Sequence, residues 1–302
     1  MKVASLDLGS NTFLCLLIEG DDQGRCKIHR DMVQTVRLGQ GVDGSGELHP
    51  DALSRAEKCL EEFASEIKKF TPDKVIAVAT SAARDAKNSD KLFEIGKKLN
   101  IPITIISGKE EAEISFRGAL FGFGNTEKQR LVVDIGGGST ELIIGSSGKI
   151  IWSKSLDIGA VRLTERHVAG YPVVDSDLKN LNEAIRQNLA GVVHEIKKIG
   201  AEEVVAVAGT PTALAALELG GFDERRIHGY EFSLKRLTYW CDLFAKTTVQ
   251  EKMDKYGLGG RADIILAGTS ILRALLEELD KKVFFVSTKG VRYGLAIRAL
   301  GF

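Results

Sequence analysis

"LVVDIGGGSTELIIG" (131–145) sets three glycines, a serine and a threonine between two apolar runs, with carboxylates at Asp134 and Glu141 on either side. Short apolar runs bounded by glycine read as buried strands, so the stretch is predicted to be two strands joined by a tight turn. Glycine lets such a turn take positive φ and lets an anion reach backbone N–H groups with no Cβ in the way. Serine and threonine add hydroxyl donors. An aspartate at the end of the first strand can hold Mg²⁺, directly or through water, beside the phosphate that the ion neutralises. The stretch therefore reads as a phosphate clamp of Gly136, Gly137, Gly138, Ser139 and Thr140, with Asp134 and Glu141 as metal or water partners.

A single copy would be an ordinary glycine hairpin. The pattern recurs, however, in "ASLDLGSNTFLCLLI" (4–18), where Asp7 stands at the same place and Gly9, Ser10, Asn11 and Thr12 form the matching clamp. Two copies imply two divergent α/β units, with a ligand expected in the cleft between them. Working outward, strands are expected at Lys2–Leu8, Thr12–Glu19 and Cys26–Leu38, followed by a glycine-rich loop over 39–50. Leu53, Ala56, Leu60, Phe63, Ala64 and Ile67 recur at helical spacing and predict a helix from Asp51 to Phe70. Strand Val75–Ala79, helical residues to Leu99, strand Ile103–Ile106 and helix Lys109–Leu120 complete the first copy. The polar "FGFGNTEKQ" (121–129) marks a boundary, giving domains 1–124 and 125–302, with the last helix (291–302) packing back on the first. In the second copy, strand Ile150–Leu156, a helix near 175–198 and strand Val204–Ala208 precede "AGTPTALAALELG" (208–220), a Gly-Thr turn opening a helix. Helices near 233–245, 262–279 and 291–299 and a strand at 283–286 follow. Such alternation implies α/β sheets covered by helices.

The totals exclude several classes. The chain has 302 residues, 44% hydrophobic and 27% charged, which suits two globular domains held together without staples. The formal net charge is zero, so no global basic field points to nucleic acid, and no DNA partner is expected. Cys15, Cys26, Cys59 and Cys241 form no C-x-x-C pair; neither zinc nor a redox dithiol is suggested, and Cys15 and Cys59 read as buried thiols. No apolar run approaches the roughly 18 residues of a membrane helix, and Asp7 comes too early for a signal peptide. A reduced, cytoplasmic setting without membrane attachment is expected. The G-x-x-x-x-G-K-[ST] motif is absent, and Gly39–Gly44 matches G-x-G-x-x-G without a helix at the required distance.

At this point the sequence resembles a known family. The paired Asp-x-Gly turns are similar to those of the actin-like ATPase and sugar-kinase superfamily, and more narrowly to the exopolyphosphatase / guanosine pentaphosphate phosphohydrolase family. The matching pieces are "DLGSNT" (7–12), "VRLGQGV" (36–42), "ATSAAR" (79–84), "ISGKEEAEISFRG" (106–118), "DIGGGSTEL" (134–142), "AGTPT" (208–212), "GGRADIILAG" (259–268) and "TKGVRYG" (288–294). They run through nearly the whole chain in family order. The resemblance implies two actin-like (ribonuclease H-like) α/β domains with a cleft between them and no additional C-terminal helical domain, since the sequence stops at Phe302. It implies hydrolysis of the terminal phosphoanhydride of polyphosphate, or of the 5′ γ-phosphate of guanosine pentaphosphate, with Mg²⁺. Mn²⁺ stays open in its place and K⁺ beside it. It implies Glu111 as general base, Arg84 and Arg37 as phosphate-facing cations, Asp7, Asp134 and Glu141 as the metal carboxylates, and Gly209 and Thr210 at the nucleotide or chain. Ala208-Gly209-Thr210 stands where Gly-Gly-Thr is usual. Relatives are often homodimers.

Each residue has a plainer reading. Glu110, Glu111 and Glu113 alone would be an acidic first turn suited to a helix dipole. Arg261 and Asp263 would be a helix-start ion pair. His29, His49, His167, His194 and His228 form no cluster, and Lys68-Lys69, Lys97-Lys98 and Lys197-Lys198 read as solvated helix ends. Two other functions stay open: a non-catalytic nucleotide or polyphosphate sensor, and an actin-like ATP-dependent phosphotransferase.

Overall fold

The computed structural model describes residues 1–21, 23–124 and 127–302; the boundary expected between 124 and 125 falls at Asn125, outside them. The described chain forms two units, Met1–Phe121 with Gly290–Phe302, and Gly122–Lys289.

The first unit opens with β1 (Lys2–Leu8), an apolar strand covered on both faces. Ala4, Leu6 and Leu8 alternate into one core, while Val3, Ser5 and Asp7 take the other face. β2 (Thr12–Gly20) and β3 (Cys26–Thr35) fold back antiparallel, with Leu8 opposite Phe13. The 39–50 segment contains one short helix, α1 (Val42–Ser45). α2 (Pro50–Phe70) begins at Pro50, with His49 accepting from the Asp51 amide. Its buried stripe of Ala52, Ala56, Cys59, Leu60, Phe63 and Ile67 has the spacing of an amphipathic helix. β4 (Lys74–Ala79) runs parallel to β1, and β5 (Ile103–Ile105) parallel to β4. The residues from Ser81 to Lys98 divide into α3 (Ser81–Asp85) and α4 (Asp90–Lys98), and α5 (Gly108–Ala119) follows β5. The sheet order is β3-β2-β1-β4-β5.

The second unit repeats this plan. β6 (Arg130–Ile135), buried along its length, pairs antiparallel with β7 (Thr140–Ser146), which pairs with β8 (Lys149–Leu156). The second and third strands of both sheets slip register by one residue near the far end of the hairpin. After α6 (Ala160–His167) and α7 (Asp175–Ile199), β9 (Glu203–Val207) lies parallel to β6, as β4 does to β1. Then come α8 (Gly209–Leu219), α9 (Glu224–Ile227), β10 (Glu231–Ser233), α10 (Leu234–Lys246), α11 (Val249–Asp254), the 3₁₀ turn Gly259–Arg261, α12 (Ile265–Glu278) and β11 (Val283–Val286). β11 takes the place of β5, with the short β10 added at the edge, and the order is β10-β11-β9-β6-β7-β8. α12 is buried from Ile265 to Leu272 without a break and forms the centre of this core. The mixed α/β architecture with two sheets is therefore the one the repeat implied.

The chain ends on α13 (Val291–Leu300), which returns to the first unit and packs on α5, β1 and β2. Two glycines permit this approach. A Cβ on Gly118 would lie 2.0 Å from the Gly290 carbonyl oxygen, and one on Gly294 would lie 1.9 Å from that of Ile114. Among the described residues no helix is long and apolar enough to cross a membrane. The cysteines are free; Cys15, Cys59 and Cys241 are buried, and burial pushes each thiol up to about 12.

Candidate active site

In the first unit the turn between β1 and β2 closes with Gly9 N–H donating to the Thr12 carbonyl at 3.1 Å. Its other carbonyls are taken by the segment that follows β3. Ser10 O accepts from Gly39 N–H at 2.7 Å, and Asn11 O accepts from Val36 and Arg37 N–H at 3.0 and 2.9 Å. Arg37 sits at φ 55°, a left-handed conformation uncommon away from glycine. Arg55 braces it, its Nε donating to Val36 O at 2.7 Å and its Nη2 to the Gln40 side chain at 2.9 Å. The Ser10 hydroxyl accepts from Ala82 N–H at 3.2 Å and lies 2.8 Å from Ser81 Oγ, which ties the turn to α3. The Asn11 side chain donates to Thr12 Oγ1 at 3.2 Å.

α3 carries Arg84, whose Nη1 donates to Ile106 O at 2.9 Å and to Glu111 Oε2 at 3.2 Å. Glu111 is only 7% exposed, too buried for a carboxylate that serves solely as a solvated first-turn charge. Glu110 has that simpler role. Its side chain accepts from Ser107 N–H and Oγ while the Ser107 hydroxyl accepts from Glu110 N–H, a complete capping box at the start of α5. The structure thus separates two adjacent glutamates that share one sequence context.

In the second unit Gly136 N–H donates to Ser139 O at 3.0 Å, the same closure as in the first. The segment after β8 again takes the carbonyls: Gly136 O accepts from Ala160 N–H at 2.9 Å, and Gly137 O from Val161 and Arg162 N–H at 2.8 and 3.1 Å. Arg162 Nε donates to Gly138 O at 2.8 Å. A Cβ on Gly159 would meet Gly137 O at 2.4 Å, so glycine is required where α6 abuts the turn. Among the described residues no carbonyl takes the amides of Ser10 and Asn11, or of Gly137, Gly138 and Ser139. Both turns therefore have occupied acceptors and available donors, the polarity an anion needs. The buried Thr140 hydroxyl donates to Ile158 O at 2.6 Å, so it anchors the turn from within.

Asp134 on β6 and Glu141 on β7 are direct cross-strand partners, and both are buried. Opposed residues on neighbouring antiparallel strands put their side chains on one face, where two like charges repel. Ser155 Oγ donates to Glu141 Oε1 at 2.8 Å. Two convergent carboxylates suit a hard divalent cation with oxygen ligands. Among the described residues no group of three or more His, Cys, Asp or Glu forms a ready-made metal cage. The pair offers such an ion two oxygen-donor side chains. Asp7, at the end of β1, has Leu14 opposite it on β2.

Gly209 and Thr210 begin α8, against the "GGRADIILAG" segment. A Cβ on Gly209 would collide with the Arg261 guanidinium at 1.9 Å, and one on Gly268 with Thr210 Oγ1 at 2.3 Å. Desolvation pushes Arg261 down to about 10, still charged at neutral pH. Ala208, before α8, stands at φ 78° and ψ −165°. Arg55, Ser81 and Arg162 all hold the turns, and none follows from spacing alone; of the three only Arg162 lies at a helix start that follows a glycine, Gly159.

A sequence model described as the Ppx/GppA phosphatase family matches residues 17–301. Exopolyphosphatase 2 of Mycobacterium tuberculosis is 33% identical over 316 residues, covering 99% of both chains. A guanosine-5′-triphosphate,3′-diphosphate pyrophosphatase of Vibrio atlanticus is 33% identical over 97% of this chain and 58% of its own length. Among solved structures, an exopolyphosphatase from Cytophaga hutchinsonii superposes with a TM-score of 0.92 at 26% identity, covering 100% of this chain and 98% of that one.

Proposed function

The chain belongs to the Ppx/GppA phosphatase family, and from that premise we propose that it is a Mg²⁺-dependent phosphohydrolase releasing terminal phosphate from inorganic polyphosphate, with the 5′ γ-phosphate of guanosine pentaphosphate as a second substrate. The observation that carries the reading is the matched pair of turns. In each, the carbonyls are tied off by the segment after the third strand, the amides are left as donors, and an aspartate is the last residue but one of the preceding strand.

Phosphoryl transfer asks a protein mainly for positioning and charge neutralisation. The amides of Ser10, Asn11, Gly137, Gly138 and Ser139 bind phosphoryl oxygens in this reading, and Arg37 adds an always-charged donor. Asp134 and Glu141 hold the divalent ion. When bound, Mg²⁺ neutralises charge on the phosphoryl oxygens. Glu111, oriented by Arg84, positions the attacking water and accepts its proton. Gly209 and Thr210 meet the nucleotide or the rest of the chain.

The test is phosphate release with Mg²⁺ from short polyphosphate, long polyphosphate, guanosine pentaphosphate and ATP, with wild type beside Glu111→Gln. The amide keeps an oxygen acceptor for Arg84 but cannot take a proton. Turnover is expected to fall by about 10²–10⁴-fold with the fold and substrate binding kept. Near-normal turnover would remove Glu111 from this role. Binding of polyphosphate by a folded wild type that releases phosphate from none of the four would point to a sensor.

A further inference from the structure

α13 covers the face of β1 that carries Asp7. Val3, Ser5 and Asp7 alternate onto that face. Val3 packs with Tyr293, Ala296 and Ile297, and Ser5 Oγ donates to the Arg292 carbonyl at 2.7 Å. Moving along β1 from Val3 to Ser5 moves along α13 towards its start, so Asp7, next on the face, comes to the first turn. Arg292 lies in that turn and is 9% exposed. Its Nε and Nη2 donate to the two oxygens of Asp31 at 2.8 Å each, and Tyr293 OH donates to Asp31 Oδ2 at 3.1 Å. Burial opposes the charge of Arg292, yet Asp31, with smaller contributions from Tyr293 and Asp7, holds it above the ordinary arginine value.

The two strand-end aspartates therefore differ. Asp134 faces a second carboxylate, Glu141, which makes a place for a cation. Asp7 faces Leu14 across the hairpin and lies on the face of β1 that α13, with the buried Arg292 in its first turn, covers. A rigid guanidinium held by a bidentate partner is suited to keep a second carboxylate in one place.

We propose that Arg292 is a positioning residue for the reaction: clamped by Asp31 in the first turn of α13, it fixes the Asp7 carboxylate at the end of β1. This rests on the phosphohydrolase reading. The test compares full-length wild type with Arg292→Lys, Arg292→Gln and the double variant Arg292→Gln/Asp31→Asn, which exchanges the ion pair for two neutral amides. Each is followed by thermal unfolding, equilibrium binding of polyphosphate and steady-state phosphate release. The folded double variant is expected to lose at least about tenfold in kcat while KM and the binding constant move by less than about threefold, with Arg292→Lys recovering part of the loss. A folded double variant with wild-type kcat, or with a kcat loss matched by lost binding, would overturn the assignment. If that variant fails to fold, Arg292→Lys decides: it keeps the charge and loses the fork, so a reduced kcat at unchanged KM supports the proposal and wild-type kcat refutes it. A crystal structure of a folded variant reads positioning without turnover. A displaced Asp7 carboxylate supports the proposal, and an unmoved one overturns it. A wild type that releases no phosphate would instead sink the phosphohydrolase reading, leaving the crystallographic arm to decide on Arg292.

Discussion

Ala208 holds φ 78° and ψ −165°, a region of backbone space populated almost solely by glycine. The strain of an L-residue there is about 1–3 kcal/mol. Ala208→Gly is expected to relieve it, less the extra freedom that glycine gives the unfolded chain, for a net gain of about 1 kcal/mol. Calorimetry should show Tm rising by roughly 2–4 °C. Lys252 is a second residue under tension. It is fully buried, its Nζ has no hydrogen-bond partner among the described residues, and it lies 3.1 Å from the centre of the Tyr171 ring. Desolvation, opposed by Asp263, pushes it from 10.5 down to about 7. Between those values the unfolded chain binds a proton that the folded chain does not. Stability should therefore rise as pH increases from about 7 to 10.5 and be lost as pH falls back to 7. Lys252→Met keeps the apolar stem and removes the charge. Denaturant titrations across that window should find the variant more stable at pH 7 and its pH slope flattened.

At the scale of elements, α5 and α13 touch backbone to backbone at Gly118 and Gly294. Gly294→Ala would put a methyl 1.9 Å from the Ile114 carbonyl oxygen, so the helices must part. The expected cost is about 1–3 kcal/mol, seen as a lower denaturant midpoint at unchanged m. The β1–β2 and β6–β7 hairpins could be read from the sequence because an apolar–Asp–apolar–Gly pattern is local and occurs twice. α2 could be read because its buried residues recur at helical spacing. β10 and α9 are three and four residues long, too short for any periodicity to register. The helical run after β4 was legible as helix, but its division into α3 and α4 was not. Partners distant in the chain stayed hidden for a different reason. Burial pattern reports which face is covered but not by what, so Arg84 against Glu111, Arg261 against Gly209 and Arg292 against Asp31 needed coordinates. Glu110 and Glu111 are the sharpest case: identical neighbours in sequence, one a helix cap and the other buried beside an arginine.

Across the whole molecule, the second unit is one continuous segment, whereas the first is completed by the residues after it. Deleting Gly290–Phe302 removes the cover from Val3, Leu16 and Ile18 and from Val78, Ile106 and Ile114. Limited proteolysis of that deletion should digest the first unit and spare a fragment near 122–289, while the full-length protein resists over both. Equal protection of the first unit with and without its last helix would contradict this.

The same discontinuity acts during synthesis. Ser5 and the Arg292 carbonyl it binds are 287 positions apart. At roughly 5–20 residues per second, the ribosome delivers the second about a quarter of a minute to a minute after the first. The second unit has all its residues before the first does, so folding is completed in the reverse of the order of translation. A nascent chain released before α13 is made carries both glycine turns but lacks Arg292 and the cover of β1 and β2. Products truncated before α13 should then be silent and open to proteases, so synthesis of α13 gates activity.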